Sequence, residues 1–412
     1  MNLGSVLVKL LLSLLFSTLV AVACGGNGDG GGNGGGGDGN EVEETPGPFA
    51  QPSEVVTPAA NVDAMEFAPD GRLFYVEHWS GDIRIVSADG ELLPEPFAHV
   101  DVPLSVALGL TGLALDPDFE TNHYVYILYS EVLSEGPPAE SKPAVARFTD
   151  EDNKGTEMTL LIDDLPEVNP ERSFNVNGSL HFGPDGFLYL TLGDYDQPGE
   201  VGPNGSPLPQ DLGSPIGKML RVNKEDGSAA ADNPFVDDPS ADPRIYAYGF
   251  RGAFNFVFHP ETGQLYGSDN SGSVCEEINI IEAGGNYGYT QPTATPFSNC
   301  PSLPGTPAIH YPTASGLSPE SLGSSVGVSG MEFIAGDEYP VLGDSLVFCE
   351  SGTKRLRRVV LTPTNQVTAD DVISLDCWLD VTVGPDGLVY YANLTEIRRL
   401  TPAEPSPRAT SS

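Results

Sequence analysis

The sequence predicts an all-β protein, a six-bladed β-propeller, on three observations. One turn phrase returns six times, each copy lies between runs of period-two alternation, and successive copies are about 50 to 75 residues apart. The copies lie at 67–75 (FAPDGRLFY), 115–126 (LDPDFETNHYVY), 182–189 (FGPDGFLY), 258–266 (FHPETGQLY), 333–348 (FIAGDEYPVLGDSLVF) and 383–391 (VGPDGLVYY). Proline fixes φ and, in all copies but 115–126, glycine supplies a left-handed residue, which is how one antiparallel hairpin reads. One small sheet cannot bury both of its faces, whereas six stacked around an axis bury them all and leave only short edges. The spacing exceeds what a minimal four-stranded blade needs, so inserted loops carry the surplus. A large sandwich is the alternative, but sandwiches seldom repeat one turn phrase so regularly.

The elements follow in chain order. Residues 1–9 make a short charged start, 10–22 an apolar run, and Ala21-Val22-Ala23-Cys24 places small residues before a cysteine. That run is too short to span a membrane comfortably, so 1–24 reads as a lipoprotein signal peptide with Cys24 as the lipidated residue. An ordinary signal peptide cleaved elsewhere is the alternative, because Ala21 replaces the more usual leucine. Residues 25–55, rich in Gly, Asp and Pro, have nothing to bury and read as a disordered tether. The propeller is expected over 56–402 and a disordered tail over 403–412. The chain is read as exported and lipid-anchored to the outer face of the cell membrane, its membrane partner being that anchor.

Beyond Cys24 stand Cys275, Cys300, Cys349 and Cys377, an even number in an exported chain. The shorter loops suggest 275 with 300 and 349 with 377, although four cysteines allow three pairings. With no CxxC or Cys/His cluster, the pattern does not read as structural zinc. Formal charge is −39, from 58 acids against 19 bases. Such a surface repels nucleic acid, and any polyanionic ligand needs a local basic cluster.

Several phrases then carry a family resemblance: APDGRLFYVEHWSGDIRIV (68–86), GLTGLALDPDF (109–119), NGSLHFGPDGFLYLTLGD (177–194), GKMLRVNKEDGSAAADNPF (217–235), AYGFRGAFNFVFHPETGQLY (247–266), EEINIIEAGGNYGY (276–289) and LDVTVGPDGLVYYAN (379–393). In order and spacing the chain resembles the PQQ-dependent sugar dehydrogenases, the glucose/sorbosone dehydrogenase-like propellers. The resemblance implies an axial funnel holding pyrroloquinoline quinone and calcium, a sugar substrate, a histidine base, an Arg-Asn pair and several basic clamps.

Position by position, the family base falls on Asn175, and an amide cannot accept a proton at neutral pH. His181, six residues on, lies in a strand and reads as a pleat residue. The Arg-Asn pair falls on Arg251-Gly252, which keeps the cation and loses the amide. The calcium turn falls on Asp269, Asn270, Ser271 and Gly272, where main-chain carbonyls of Ser271 and Gly272 could coordinate with Asp269 nearby. Glu276 and Glu277, just beyond, read as solvated or blade-closing rather than ligating. The clamp positions fall near Gly352, Cys377 and Leu379, none of them basic, while Lys354, Arg355, Arg357 and Arg358 crowd the next strand. Of these, Lys354 and Arg355 join Arg251 as cofactor-binding candidates. Ala107 and Leu108 stand where the family places a glutamine.

The N-terminal signal and the resemblance together imply a surface-anchored protein that oxidises or binds a sugar in the funnel, with calcium at the turn and PQQ only if a clamp survives. The lost base and clamps weigh against turnover. A rearranged base would be Asp194, Asp196 or Glu77. Two other classes fit the same residues: a non-catalytic propeller binding a glycan or a protein, and a lactonase-like hydrolase with Glu77, Asn175, Asn177 and Asp269 around a divalent cation.

Overall fold

The computed structural model describes residues 52–402 apart from 106, 135, 137–138, 170–173, 198, 271–275, 290–307, 311–326, 335–338 and 340–341. Strand β1 (Ser53–Pro58) precedes five complete sheets. Blade 1 is β2 (Val62–Phe67), β3 (Leu73–Glu77), β4 (Asp82–Val86) and β5 (Ala98–His99). Blade 2 is β6 (Leu110–Leu115), β7 (Tyr124–Ser134), β8 (Glu140–Glu151) and β9 (Lys154–Ile162). Blade 3 is β10 (Asn177–Phe182), β11 (Leu188–Leu192), β12 (Lys218–Val222) and β13 (Ile245–Tyr248). Blade 4 is β14 (Ala253–Phe258), β15 (Leu265–Asp269), β16 (Glu277–Ile281) and β17 (Ala308–His310). Blade 5 is β18 (Val328–Ile334), β19 (Ser345–Glu350), β20 (Arg355–Leu361) and β21 (Val367–Ser374). Blade 6 is β22 (Val381–Val383), β23 (Val389–Ala392) and β24 (Glu396–Leu400), and β1 supplies its fourth strand. This is the six-bladed propeller that the repeated phrase predicts.

The phrase works as a side-chain knot. In blade 3, Asp185 Oδ1 accepts the Phe187 N–H at 3.2 Å, Gly186 takes φ 79°, and the Tyr189 hydroxyl donates to Asp185 Oδ2 at 2.9 Å. Blade 6 repeats it: Leu388 N–H to Asp386 Oδ1 at 3.1 Å and the Tyr390 hydroxyl to Asp386 Oδ2 at 2.9 Å. An aspartate that closes its own turn and anchors the aromatic on the returning strand fixes hairpin register locally. In blade 2, where glycine is missing, a one-turn helix α1 (Phe119–Asn122) fills the connection, ending on His123 at φ 58°.

No single core exists; the apolar clusters are the seams between neighbouring blades. Phe74, Val76 and Ile85 of blade 1 pack on Leu113, Val125 and Ile127 of blade 2, while Leu73 and Tyr75, on the opposite face of β3, pack on Ala392 and Ile397 of blade 6. Period-two alternation therefore buries both faces of one strand, one toward each neighbour. First strands approach closely at the axis, and at Gly330 any Cβ would overlap the Asp380 main chain of blade 6. Two features tie the ring shut. The β1–β24 pairing aligns Ser53 with Leu400, and the Cys349–Cys377 disulfide joins β19 of blade 5 to the segment entering blade 6. Cys275 and Cys300 lie outside the described residues. Strand β1 starts at Ser53, within the stretch that composition marks as tether, because its stabilising partner is some 340 residues away in sequence. Among the described residues no helix is long and apolar enough to cross a membrane.

Candidate functional site

Register places the functional residues on one end of the ring. In blades 1, 3, 4 and 5 the first strand begins opposite the end of the second: Val62 against Glu77, Asn177 against Leu192, Ala253 against Asp269, Val328 against Glu350. The segments before the first strands and after the second strands therefore share one mouth. Asn175, Arg251, Gly252, Asp269, Asp194, Glu77, Lys354 and Asp380 all lie there.

The blade 3 rim is conformationally unusual. Asn175, Tyr195 and Asp196 have φ of 49°, 58° and 49°, a region that side chains other than glycine adopt at a cost. Asn175 Nδ2 donates to Asp194 Oδ1 at 3.1 Å, and the Asp196 N–H reaches the same oxygen at 3.0 Å. The Asp194 N–H donates to the Arg251 carbonyl at 2.7 Å, which ties blade 3 to blade 4. Burial raises the Asp194 carboxyl above its ordinary range, opposed by the Arg251 charge and by hydrogen bonds from Asp196, Asn175 and Tyr289. A buried carboxyl beside a guanidinium offers a hydrogen-bond acceptor and a permanent cationic donor side by side.

Arg251 is anchored rather than loose. Its Nη1 donates to the Asn270 carbonyl at 2.7 Å, and its main-chain N–H donates to Asp269 Oδ1 at 3.0 Å. Gly252 N–H donates to the same Asp269 oxygen at 2.7 Å, so the carboxylate read from sequence as a metal neighbour caps this turn. Burial, followed by the Glu277 charge, raises Asp269 to about 8. Asn270 Nδ2 donates to the Val328 carbonyl at 3.0 Å and carries the network into blade 5. Ser271 and Gly272 lie outside the described residues, and among those described no three His, Cys, Asp or Glu side chains could hold a metal ion together.

The remaining candidates divide by position. Asn177 is buried and donates to Ser130 Oγ at 3.0 Å, a blade-to-blade tie. His181 stands deeper in β10, its Nε2 3.3 Å from Asn255 Oδ1, and burial lowers it to about 4, so it is neutral and structural. Glu77 accepts from Ser80 and from the Ala60 N–H at 3.0 and 3.3 Å. Buried Glu276 lies close enough for Arg251 to feel its charge. Lys354 places its Nζ 4.9 Å from the Trp378 ring centroid. Arg355 opens β20 opposite Glu350. Arg357 pairs with Glu350 and Asp370 at 2.6 and 2.9 Å, and Arg358 reaches the Leu342 carbonyl at 2.6 Å, so both are engaged within their own blade.

Sequence reading missed one pair at the mouth. His78 Nδ1 lies 2.6 Å from Asp63 Oδ2, and its Nε2 lies 3.2 Å from the Ser105 carbonyl, with both side chains buried. Burial opposes the imidazolium, but Asp63 raises it above its ordinary value. A ring with an acceptor at each nitrogen is a pinned cation and has no lone pair to offer as a base. Only the identity of His78 was visible beforehand, since strand pairing supplies its partner.

A closed six-bladed ring with arginine and carboxylates gathered at one axial mouth defines a class, the six-bladed β-propellers with a polar axial site. The chain belongs to the glucose/sorbosone dehydrogenase family, whose model matches residues 60–399. It is 29% identical over 334 residues to aldose sugar dehydrogenase YliI of Escherichia coli K12, covering 79% of this chain and 85% of that one. It is also 29% identical over 243 residues to quinoprotein glucose dehydrogenase B of Acinetobacter calcoaceticus, covering 55% of this chain and 49% of that one. The PQQ-bound aldose sugar dehydrogenase of Streptomyces coelicolor shares the fold, with a TM-score of 0.63 at 20% identity over 87% of this chain and 99% of that one.

Proposed function

We propose that this chain is an exported, lipid-anchored sugar-binding member of the glucose/sorbosone dehydrogenase family that takes an aldose at the axial mouth. The observation that carries the reading is the Arg251–Asp194–Asn175 cluster, in which a guanidinium, a carboxyl and an amide meet across two blades. Sugar hydroxyls need donors and acceptors side by side: Arg251 donates, Asp194 accepts, and Asn175 does either. Asp194 is also the group able to receive a hydroxyl proton, since Asn175 cannot and His181 is held deeper in its strand. Calcium in this reading rests on the Ser271 and Gly272 carbonyls, as the family resemblance implies, while Asp269 caps the Arg251-Gly252 turn. The described residues do not fit the tricarboxylate quinone that the family resemblance implies, since the family's clamp positions near Gly352, Cys377 and Leu379 carry no cation.

Isothermal calorimetry with a panel of aldoses tests the proposal. Saturable binding is expected for the native chain, and Arg251→Ala should weaken it by at least about tenfold, the loss of one charge-assisted hydrogen bond. Heats unchanged in the variant, or absent from the native chain, would refute it. For the anchor, Cys24→Ser is expected to move the protein from the membrane to the soluble fraction, and an unchanged distribution would argue against lipidation.

A further inference from the structure

Much of the positive charge of this chain is paired away from the mouth, and most of what stands at the mouth is already engaged. On outer strands and far turns, Arg221 pairs with Asp185 and Asp232, Lys224 with Asp116 and Asp118, and Arg244 with Asp164 and Asp242. Lys218, fully buried, gives its Nζ to the carbonyls of Leu208, Pro209 and Ile216 at 2.8 to 3.0 Å. At the mouth Arg251 is committed to the Asn270 carbonyl, Arg357 to Glu350 and Asp370, and His78 to Asp63. Lys354 lies on the Trp378 face. The internal segments outside the described residues add one lysine or arginine in all, Arg172.

Against this stand buried carboxyls at the same end: Asp63, Asp194, Asp269, Glu276 and Asp380, each no more than 7% exposed. A planar tricarboxylate placed among them meets acidic groups rather than unengaged buried cations in a desolvated site, since Arg251 and Arg357 already hold protein acceptors, so its three charges gain little compensation there. A neutral polyol meets no such penalty, because the same carboxyls accept its hydroxyl protons as hydrogen bonds.

We infer that the mouth excludes PQQ and holds its ligand without a quinone, the charge of the site having been rebuilt for an uncharged sugar. The second clause rests on the sugar-binding reading above, and the first does not. The test titrates the full chain, expressed in cells that make no PQQ and purified with calcium present, with PQQ itself, following quinone absorbance and calorimetric heat. A parallel titration uses the tightest aldose of the panel. No saturable PQQ signal is expected up to about 0.1 mM, a dissociation constant at least about a hundredfold above micromolar. The aldose affinity should be the same with and without PQQ. Stoichiometric PQQ binding at micromolar concentration overturns the inference whatever the aldose does. Absent PQQ binding together with absent aldose binding supports the exclusion while removing the sugar reading, so the two failures separate.

Discussion

Arg251 illustrates how one side chain can be legible while its use is not. Its place on the arginine of the family's Arg-Asn pair marked it as the cation most able to face a ligand, and it does stand at the mouth. What sequence could not supply was its orientation, which depends on the Asn270 carbonyl and on Asp194, residues from two other connections. The planar fork matters there. Arg251→Lys keeps the charge but cannot hold the carbonyl and a sugar hydroxyl together, so aldose affinity is expected to fall by about tenfold in calorimetry. Affinity within twofold of native would show that charge alone suffices. The pinned His78–Asp63 pair makes the complementary point: Asp63→Asn leaves an imidazolium buried against an amide, and the melting temperature should fall, by about 2 to 4 °C for a protein of this size. An unchanged melting temperature would show that His78 is neutral.

The hairpins were the most legible elements, because proline, aspartate and glycine act over four residues and need no distant partner. The same locality explains the miss in blade 2, where α1 replaces the tight turn once glycine is lost. Strand β1 was invisible for the opposite reason, since its pairing with β24 is the longest-range contact in the sheet. The disulfide and the axial glycine lend themselves to measurement at this scale. Cys349→Ser removes the covalent tie between blades 5 and 6 and should cost about 2 to 4 kcal/mol of stability by calorimetry or denaturant melts. A smaller loss would mean that the seam packing already holds the two blades. Gly330→Ala pushes a methyl into the Asp380 main chain and should cost about 1 to 3 kcal/mol, with no loss expected if the first strands can separate.

For the molecule as a whole, the ring concentrates acid at its centre. Glu66 of blade 1 accepts the Leu115 N–H at 2.9 Å, and Glu332 of blade 5 accepts the Phe333 N–H at 2.8 Å. Both are half-buried on first strands, and Asp380, held by the Met65 N–H, sits between their blades and feels both Glu332 and Asp63. Enclosure raises Glu66 to about 8, helped by the Glu332 charge, and Glu332 to about 7. Folding then takes up protons at these groups. Their stabilisation is complete below an unfolded value near 4.5 and is lost as pH rises through 7 to 8. The melting temperature should therefore fall between pH 5 and 9, and Glu66→Gln with Glu332→Gln should flatten that slope. An equally steep slope in the double variant would assign the effect to surface repulsion from the net charge of −39.

The most direct measurement is a crystal structure of the full chain soaked with its tightest aldose. The expected result is sugar density at the axial mouth, with hydroxyls within about 3 Å of the Arg251 guanidinium and the Asp194 carboxyl and no quinone beside them. Sugar bound on an outer face of a blade, or a quinone occupying the mouth, would contradict it.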